Sequence, residues 1–361
     1  MYQLPHPIPV SIVTGFLGAG KSTLINRLLR DPALSDAAVI INEFGEIGID
    51  HLLVESAGDG IIELSNGCLC CSVRGELIDT LANLLDAVQT ERVRPVGRVI
   101  IETTGLADPV PVLQAVMAHP AIAASFRIDG VVTLVDALAG LATLDGHIEA
   151  VRQAAVADRI VLTKTDIASA EQTNALQDRL TALNPMAKIV DVADGEAVRP
   201  GLLAAGLFDL ARKPDAVGDW LSAEPAHHHH HHDVNRHDEH IRAFALAADR
   251  PLAPGAIEAF QHRLAANHGD RLLRLKGVVA VEGMARPLVV HGVRDMVYPP
   301  SRLEAWPPGS EGLTRIVVIT RDLPEAPVSE LFAAFTGRPG IDRPDRAALE
   351  ENPLSAFGFR R

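Results

Sequence analysis

Only three cysteines occur in 361 residues, and all of them fall within one short stretch as Cys68, Cys70 and Cys71. An odd, clustered set fits no disulfide framework. The start of the chain also lacks the charged end and apolar core of a secretory leader, so a reducing cytoplasm is the expected compartment. Long apolar runs are missing as well: Leu202 to Phe208 is ended by Asp209, well short of the ~20 residues a membrane helix requires. Cations are scarce, with 33 Lys and Arg against 46 Asp and Glu and a net charge of −13. No basic cluster stands out. Phosphate backbones are held by such clusters, so neither nucleic acid nor membrane is expected as a partner.

What remains is a chain with 47% hydrophobic residues, long enough for two domains. Its first half alternates apolar runs with amphipathic segments: "IPVSIVTG", Lys21–Arg30, "AAVIIN", Gly75–Val88, "RVIIET", "DGVVTLVDA", Glu149–Ala157, "RIVLTKTD", Ala170–Leu183 and "AKIVDV". That order predicts an α/β fold, a doubly wound and mostly parallel sheet of at least six strands over residues 1–212. Residues 213–239, with Pro214, Gly218 and Pro225 leading into "HHHHHHDVNRHDEH", read as a linker loop. A smaller α+β domain is expected over 240–337 from "HIRAFALAA", Gly255–Asn267, "RLLRLKGVVAV", "PLVVHGV", "TRIVVITR" and Val328–Phe335. Residues 338–361 read as a mobile tail.

Residues Gly15 to Thr23, "GFLGAGKST", match G-x-x-x-x-G-K-[ST] between a predicted strand and a predicted helix. Gly15, Gly18 and Gly20, with Ala19 between them, let backbone N–H groups curl around a phosphate. Lys21 reaches the outer phosphates, and Ser22, followed by Thr23, can coordinate Mg²⁺. In "LTKTD", Thr163 ends a strand and Asp166 lies just beyond it, where ligands of open α/β sheets collect. A carboxylate there accepts the N1–H and exocyclic amine of guanine, which adenine cannot offer, so GTP is expected rather than ATP. Lys164 would lie along the base. The usual form of this motif starts with Asn, and Thr163 departs from it. Between the two motifs, "IIETTGLADP" ends a strand at Glu102, which can hold Mg²⁺ through water or orient the attacking water. "NEFGEIGID", Asn42 to Asp50, has the glycines and carboxylates of a loop reorganised by a γ-phosphate. Glu43 and Asp50 are its candidates for sensing Mg²⁺ or water. Lys21, Glu102 and Asp50 form the expected catalytic set.

Cys-x-Cys-Cys cannot gather three thiols on one helical face, because positions i, i+2 and i+3 diverge at 100° per residue. A turn can, and Asn66 and Gly67 supply one just before a predicted helix, Ser72–Val88, whose N-terminus favours thiolates. Three soft ligands suit Zn²⁺ and leave a fourth position for exchange. Three buried apolar cysteines, or a redox sensor, are the competing readings. His227, His228, His229, His230, His231 and His232 can bind Zn²⁺, Co²⁺ or Ni²⁺ as accessory ligands, although a hexahistidine also looks like a purification tag. His291, in "VVHGV", reads as a partly buried strand residue.

With "GFLGAGKST", "INEFGEIGID", "NGCLCCSVRGEL", "ETTGLADP" and "LTKTD" in this order, the chain resembles the CobW family of metal-linked GTPases from residue 8 to about 337. "RLLRLKG" is similar to part of that family's C-terminal domain. The resemblance implies a P-loop GTPase domain, a ferredoxin-like C-terminal domain, and a metallochaperone that uses GTP, Mg²⁺ and a cargo ion. The cysteine stretch looks closest to the zinc-handling branch, with Co²⁺ the alternative cargo. Some relatives carry a Glu metal ligand two residues before the loop's "EFG". Ile41 stands there in this sequence, which favours ligation by the three cysteines. The implied function is transfer of Zn²⁺ to a client apo-metalloprotein by a monomer or a nucleotide- or metal-dependent homodimer. The alternatives are a cobalt chaperone for cobalamin synthesis, or a zinc store or redox sensor without a client.

Overall fold

The computed structural model describes residues 7–42, 61–63, 72–203, 241–298, 300–303, 305–306 and 311–336. Asp50, the three cysteines, the expected linker with its six histidines, and the expected tail all lie outside the described residues.

The first half forms β1 (Ile8–Gly15), α1 (Lys21–Leu29), β2 (Ala37–Asn42), β3 (Ile61–Glu63), α2 (Ser72–Gln89) and β4 (Arg98–Thr103). There follow α3 (Val110–Ala118), α4 (Pro120–Ser125), β5 (Phe126–Asp136), α5 (Gly140–Gly146), α6 (Ile148–Ala155), β6 (Arg159–Thr163), α7 (Ala170–Leu183) and β7 (Lys188–Asp191). The seven strands pair in parallel in the order β3-β2-β4-β1-β5-β6-β7. Strand residues alternate between faces. Val10, Ile12, Val99 and Ile101 pack against residues of α2 and α3, whereas Val13, Val39 and Ile100 pack on the other face with Leu24, Ile25 and Leu28 of α1. Helix covers both faces, which is why these strands read as nearly unbroken apolar runs. After β1 the chain turns toward β2; after β4 it crosses β1 to build β5, β6 and β7. The switch point is therefore at β1, and because every strand is parallel, all C-terminal ends share one edge.

The second half forms β8 (Ile241–Ala248), α8 (Ala256–His268), β9 (Leu272–Val279), β10 (Leu288–Val293), β11 (Met296–Val297), β12 (Ser301–Arg302), β13 (Thr314–Arg321) and α9 (Glu325–Phe335). Its main path runs β11-β10-β9-β13-β8, with antiparallel pairing throughout. β13 lies between β8 and β9, which gives the split βαβ unit of ferredoxin-like folds, while α9 follows the last strand instead of preceding it.

The two sheets are not isolated from each other. Along β13, Ile316 and Val318 face Phe260 and Leu264 of α8 and Phe332 of α9. Val317 and Ile319 face the other way, into a core with Ala150, Val151 and Ala154 of α6 and Leu176 and Leu180 of α7. One apolar core thus spans the junction. A charge cluster is buried beside it: the Asp158 side chain is 0% exposed and Arg274 3%. Arg274 binds both the Asp158 carboxylate and the Val156 carbonyl. Lys276 Nζ reaches Asp158 Oδ1 at 3.2 Å, and the Val131 N–H donates to Oδ2 at 2.9 Å. Burial works against a charged Asp158, yet Arg274, Lys276, the Val131 N–H and His291 together hold its pKa below the ordinary value. His291 in β10 is 1% exposed, more deeply buried than its sequence context suggests.

Candidate nucleotide site

The shared strand edge gathers the predicted phosphate, Mg²⁺ and base motifs. Gly15 closes β1 with φ 144°, and a Cβ there would lie 2.5 Å from the Leu134 carbonyl oxygen. Only glycine lets the loop leave the sheet this close to β5. Gly18 and Gly20 also have positive φ, at 73° and 92°, and Gly20 caps α1. Lys21 is buried, its Nζ donating to the Gly15 carbonyl at 3.0 Å, so the ammonium arches over the loop it serves.

Ser22 and Glu102 come from separate elements and meet. Ser22 Oγ donates to Glu102 Oε1 at 3.0 Å, and both residues are under a tenth exposed. Glu102 is paired in register with Val13 of β1, which brings it to the phosphate loop instead of leaving it solvated. Two buried hard oxygens side by side are the donor chemistry that Mg²⁺ takes, so the residues present fit that ion. Thr103 Oγ1 donates to Thr14 Oγ1 at 2.7 Å, locking β4 to β1 beneath them. Beyond β4, Gly105 lies against the phosphate loop: a Cβ on it would meet Leu17 N at 2.7 Å and Leu17 Cα at 2.8 Å. The segment from Gly105 to Pro109 therefore touches the loop that would carry the phosphates.

The base motif is tied to the same loop. Thr163 Oγ1 donates to the Ala19 carbonyl at 2.9 Å, a bond that puts the Thr departure from the usual Asn to structural use. Lys164 has φ 58°, unusual for a residue with a Cβ, and its Nζ pairs with Asp136 at the end of β5. Thr165 Oγ1 donates to Asp191 Oδ1 at 2.7 Å, and Asp166 is exposed at the edge, open to a base. Thr23 points to solvent on α1.

Sequence reasoning passed over two residues that hold this site. Asp136 orients Lys164, and its signal was an acidic residue ending an apolar run. Gln153, 1% exposed on α6, donates to the Gly105 carbonyl at 3.1 Å and the Ala107 carbonyl at 3.0 Å. Its signal was a lone amide among the alanines of "AVRQAAVA". The expected Asp50, Cys68, Cys70, Cys71 and His227–His232 fall outside the described residues, so the geometry concerns the nucleotide side alone. Ile41, at the position of a possible extra ligand, is a β2 core residue, 4% exposed, and can ligate nothing.

Residues 9–191 match the family model of the CobW/HypB/UreG nucleotide-binding domain, and residues 241–336 match that of the cobalamin synthesis protein cobW C-terminal domain. The chain belongs to the CobW/HypB/UreG family of P-loop GTPases. It is 33% identical to the zinc chaperone YjiA of Escherichia coli, over 92% of this chain and 99% of that protein. It is 32% identical to the zinc chaperone CobW of a Sinorhizobium species, over 91% of this chain and 97% of the relative. The crystal structure of Zn(II)-bound YjiA GTPase from E. coli superposes with a TM-score of 0.68 at 29% identity, covering 91% of this chain and 99% of the other. Among the described residues of this family member, no helix is long and apolar enough to cross a membrane.

Proposed function

We propose that this GTPase is a metallochaperone that binds Zn²⁺ through Cys68, Cys70 and Cys71 and passes it to a client metalloprotein under control of the bound nucleotide. Lys21 and the glycine loop bind the phosphates, and Asp166 reads the guanine. Ser22 and Glu102 would hold Mg²⁺, which when bound neutralises charge on the phosphates. Glu102 is also placed to orient water, with Asp50 a further candidate. Zinc is cargo in this scheme and takes no part in hydrolysis. The identity of the relatives as zinc chaperones supports the choice of metal.

One observation carries the coupling. Cys71 immediately precedes α2, and Leu77, Leu81, Leu84 and Val88 of α2 pack in one buried cluster with Val110, Val112, Leu113 and Val116 of α3. Helix α3 in turn begins where the Gly105–Pro109 segment ends. A displacement of that segment by a γ-phosphate therefore has a packed route to α2, the helix that the cysteines precede in sequence, and cores pass on shifts because they are close-packed. Coupling of this kind is reciprocal: GTP tightens zinc relative to GDP by the same factor as zinc tightens GTP.

The test is a competitive Zn²⁺ titration with a non-hydrolysable GTP analogue and with GDP. A typical coupling of ~1–3 kcal/mol gives roughly 5- to 150-fold tighter zinc with the analogue. Cys70→Ser should remove that difference and leave GTP binding in place, while deleting His227–His232 should lower only the number of ions bound. Equal zinc affinities in the two nucleotide states would rule out the switch. Zinc release to an apo-metalloprotein on hydrolysis separates a chaperone from a store.

A further inference from the structure

The two-residue turn between β10 and β11, Arg294-Asp295, sits on the nucleotide domain, at the segment that touches the phosphate loop. Arg294 Nη2 bonds Asp108 Oδ2 at 2.8 Å. Asp295 Oδ1 accepts from Gln114 Nε2 of α3 at 3.0 Å. The hairpin is anchored beneath by Val293 and Tyr298, which are buried in the same cluster as Val112 and Val116 of α3. Asp108 is itself a junction. Its Oδ1 accepts from Val110 N at 3.0 Å where α3 begins, and Arg152 of α6 stands 3.7 Å from its Oδ2. Just upstream of Asp108, the carbonyls of Gly105 and Ala107 both accept from Gln153 Nε2 of α6.

Backbone geometry adds a second, independent observation. Arg294 has φ 53°, in the left-handed region that Gly, Asn and Asp occupy far more readily. Strain at such a position is kept where surroundings over-determine it, and the side chain is what Gly could not supply. The turn costs stability to place a guanidinium on Asp108.

We propose that Arg294 is a positioning residue for GTP hydrolysis, supplied in cis by the C-terminal domain, which fixes Asp108 and through it the Gly105–Pro109 segment against the phosphate loop. The inference rests on the assignment of that segment as the part of the GTPase that meets the γ-phosphate. Loops that complete a site in this way set kcat more than ground-state binding. The base, the glycine loop and Lys21 bind GTP without help from Arg294. Its loss should therefore appear in turnover and not in KM.

Steady-state GTP hydrolysis by the full chain tests this with R294A, R294G, R294K, D108N and the R294A/D108N double variant, and with K21A as reference. R294A is expected to lower kcat about 3- to 30-fold with KM for GTP within twofold. R294G, which relieves the left-handed backbone, should melt no lower than R294A and yet show the same kcat loss; a purely structural role would instead restore kcat along with stability. R294K should recover part of the rate, because a point charge replaces one arm of a planar fork. The double variant should be no slower than the slower single one, as expected when two side chains act through one contact. Hydrogen exchange at the Ala107 amide, which bonds the Thr104 carbonyl at 3.1 Å, should accelerate in R294A and not in β1. Wild-type kcat in R294A, or losses that multiply in the double variant, overturns the proposal. A K21A rate equal to that of wild type overturns the GTPase site assignment instead.

Discussion

Asp158→Asn tests whether the charge cluster at the sheet junction holds the two halves together. The replacement keeps the shape, and an Asn oxygen can still accept the Val131 N–H. What disappears is the only carboxylate partnered with Arg274 and Lys276 among the described residues, at a side chain that is 0% exposed. Removing one partner of a buried pair leaves a charge uncompensated and costs ~3–5 kcal/mol. Two details push toward the lower end. Arg274 keeps the Val156 carbonyl as an acceptor. Lys276 can shed its proton, because burial already lowers its pKa and Arg274 adds to that, while Asp158 is the group that pulls it back up. For domains of this size, 1 kcal/mol corresponds to roughly 2–4 °C, so a loss of ~6–20 °C in Tm is expected at pH 7. Thermal unfolding followed by far-UV circular dichroism reads it directly. The pH dependence has a definite sign. Asp158 has a depressed pKa in the folded chain, so its contribution is complete above the unfolded value of 3.8 and is lost as pH falls through the lower folded value. Asp158's own contribution should therefore be level well above pH 3.8 and the gap between wild type and Asp158→Asn should close in stronger acid, while release of the Lys276 proton in the variant narrows it again toward alkaline pH. A variant that melts within ~2 °C of wild type at pH 7 would refute the argument.

Other substitutions probe the nucleotide site. Lys21→Ala should abolish measurable GTP hydrolysis with the fold retained, checked by phosphate release, since Lys21 is the cation proposed to hold the outer phosphates. If Asp166 reads guanine as proposed, Asp166→Ala removes two charge-assisted hydrogen bonds at ~1.5–3 kcal/mol each, discounted here because Asp166 is exposed, so GTP affinity should fall by roughly 10²-fold or more while ATP affinity is unchanged. Competition titrations with both nucleotides measure it, and equal wild-type affinities would end the guanine assignment. Gly105→Ala forces a Cβ to within 2.8 Å of Leu17 N and Cα, so the segment must move away from the phosphate loop. A kcat loss of at least ~10-fold with little change in Tm is expected, since small misplacements near reacting groups are costly to rate.

Local chemistry made the nucleotide half legible. Each motif followed an apolar run that became a strand, and parallel pairing then brought the ends of β1, β4 and β6 to one edge. Ala170–Leu183 is helical over the residues expected, because Ser169 and Gln172 form a reciprocal capping box that the sequence displays. Other parts were hidden for physical reasons. Ile61–Glu63 is too short for periodicity to register, and it becomes a strand only by pairing with β2. Helices α3, α4 and α5 carry no N-cap side chain and no clean apolar stripe, so tertiary contact decides them. Gln153, Asp108 and Arg294 look like ordinary surface polar residues in sequence. Only folding reveals that an amide on α6 and a guanidinium 186 positions along the chain from Asp108 converge on one short segment.

That convergence gives the C-terminal domain a physical reason to share a core with the GTPase domain. Were the second sheet merely tethered, its helices could cover one face and leave Val317 and Ile319 to water. Instead these residues pack on α6 and α7, and the hairpin at the opposite side of the sheet packs on α3. Helix α6 thus contacts the second sheet along its apolar face and the Gly105–Pro109 segment through Gln153 and Arg152. In the proposed cycle a γ-phosphate that displaces this segment works on two packed elements together. One route runs through α3 and α2 toward the cysteines, and the other through Asp108 to Arg294. Because the second route ends on a domain fixed by a buried core and an internal charge cluster, it resists the displacement. The resistance sets how much of the γ-phosphate's binding energy reaches the metal motif. Loosening the Arg294 contact should therefore slow hydrolysis yet enlarge the difference in zinc affinity between the GTP-analogue and GDP states of the same variant, read by turnover and by competitive Zn²⁺ titration.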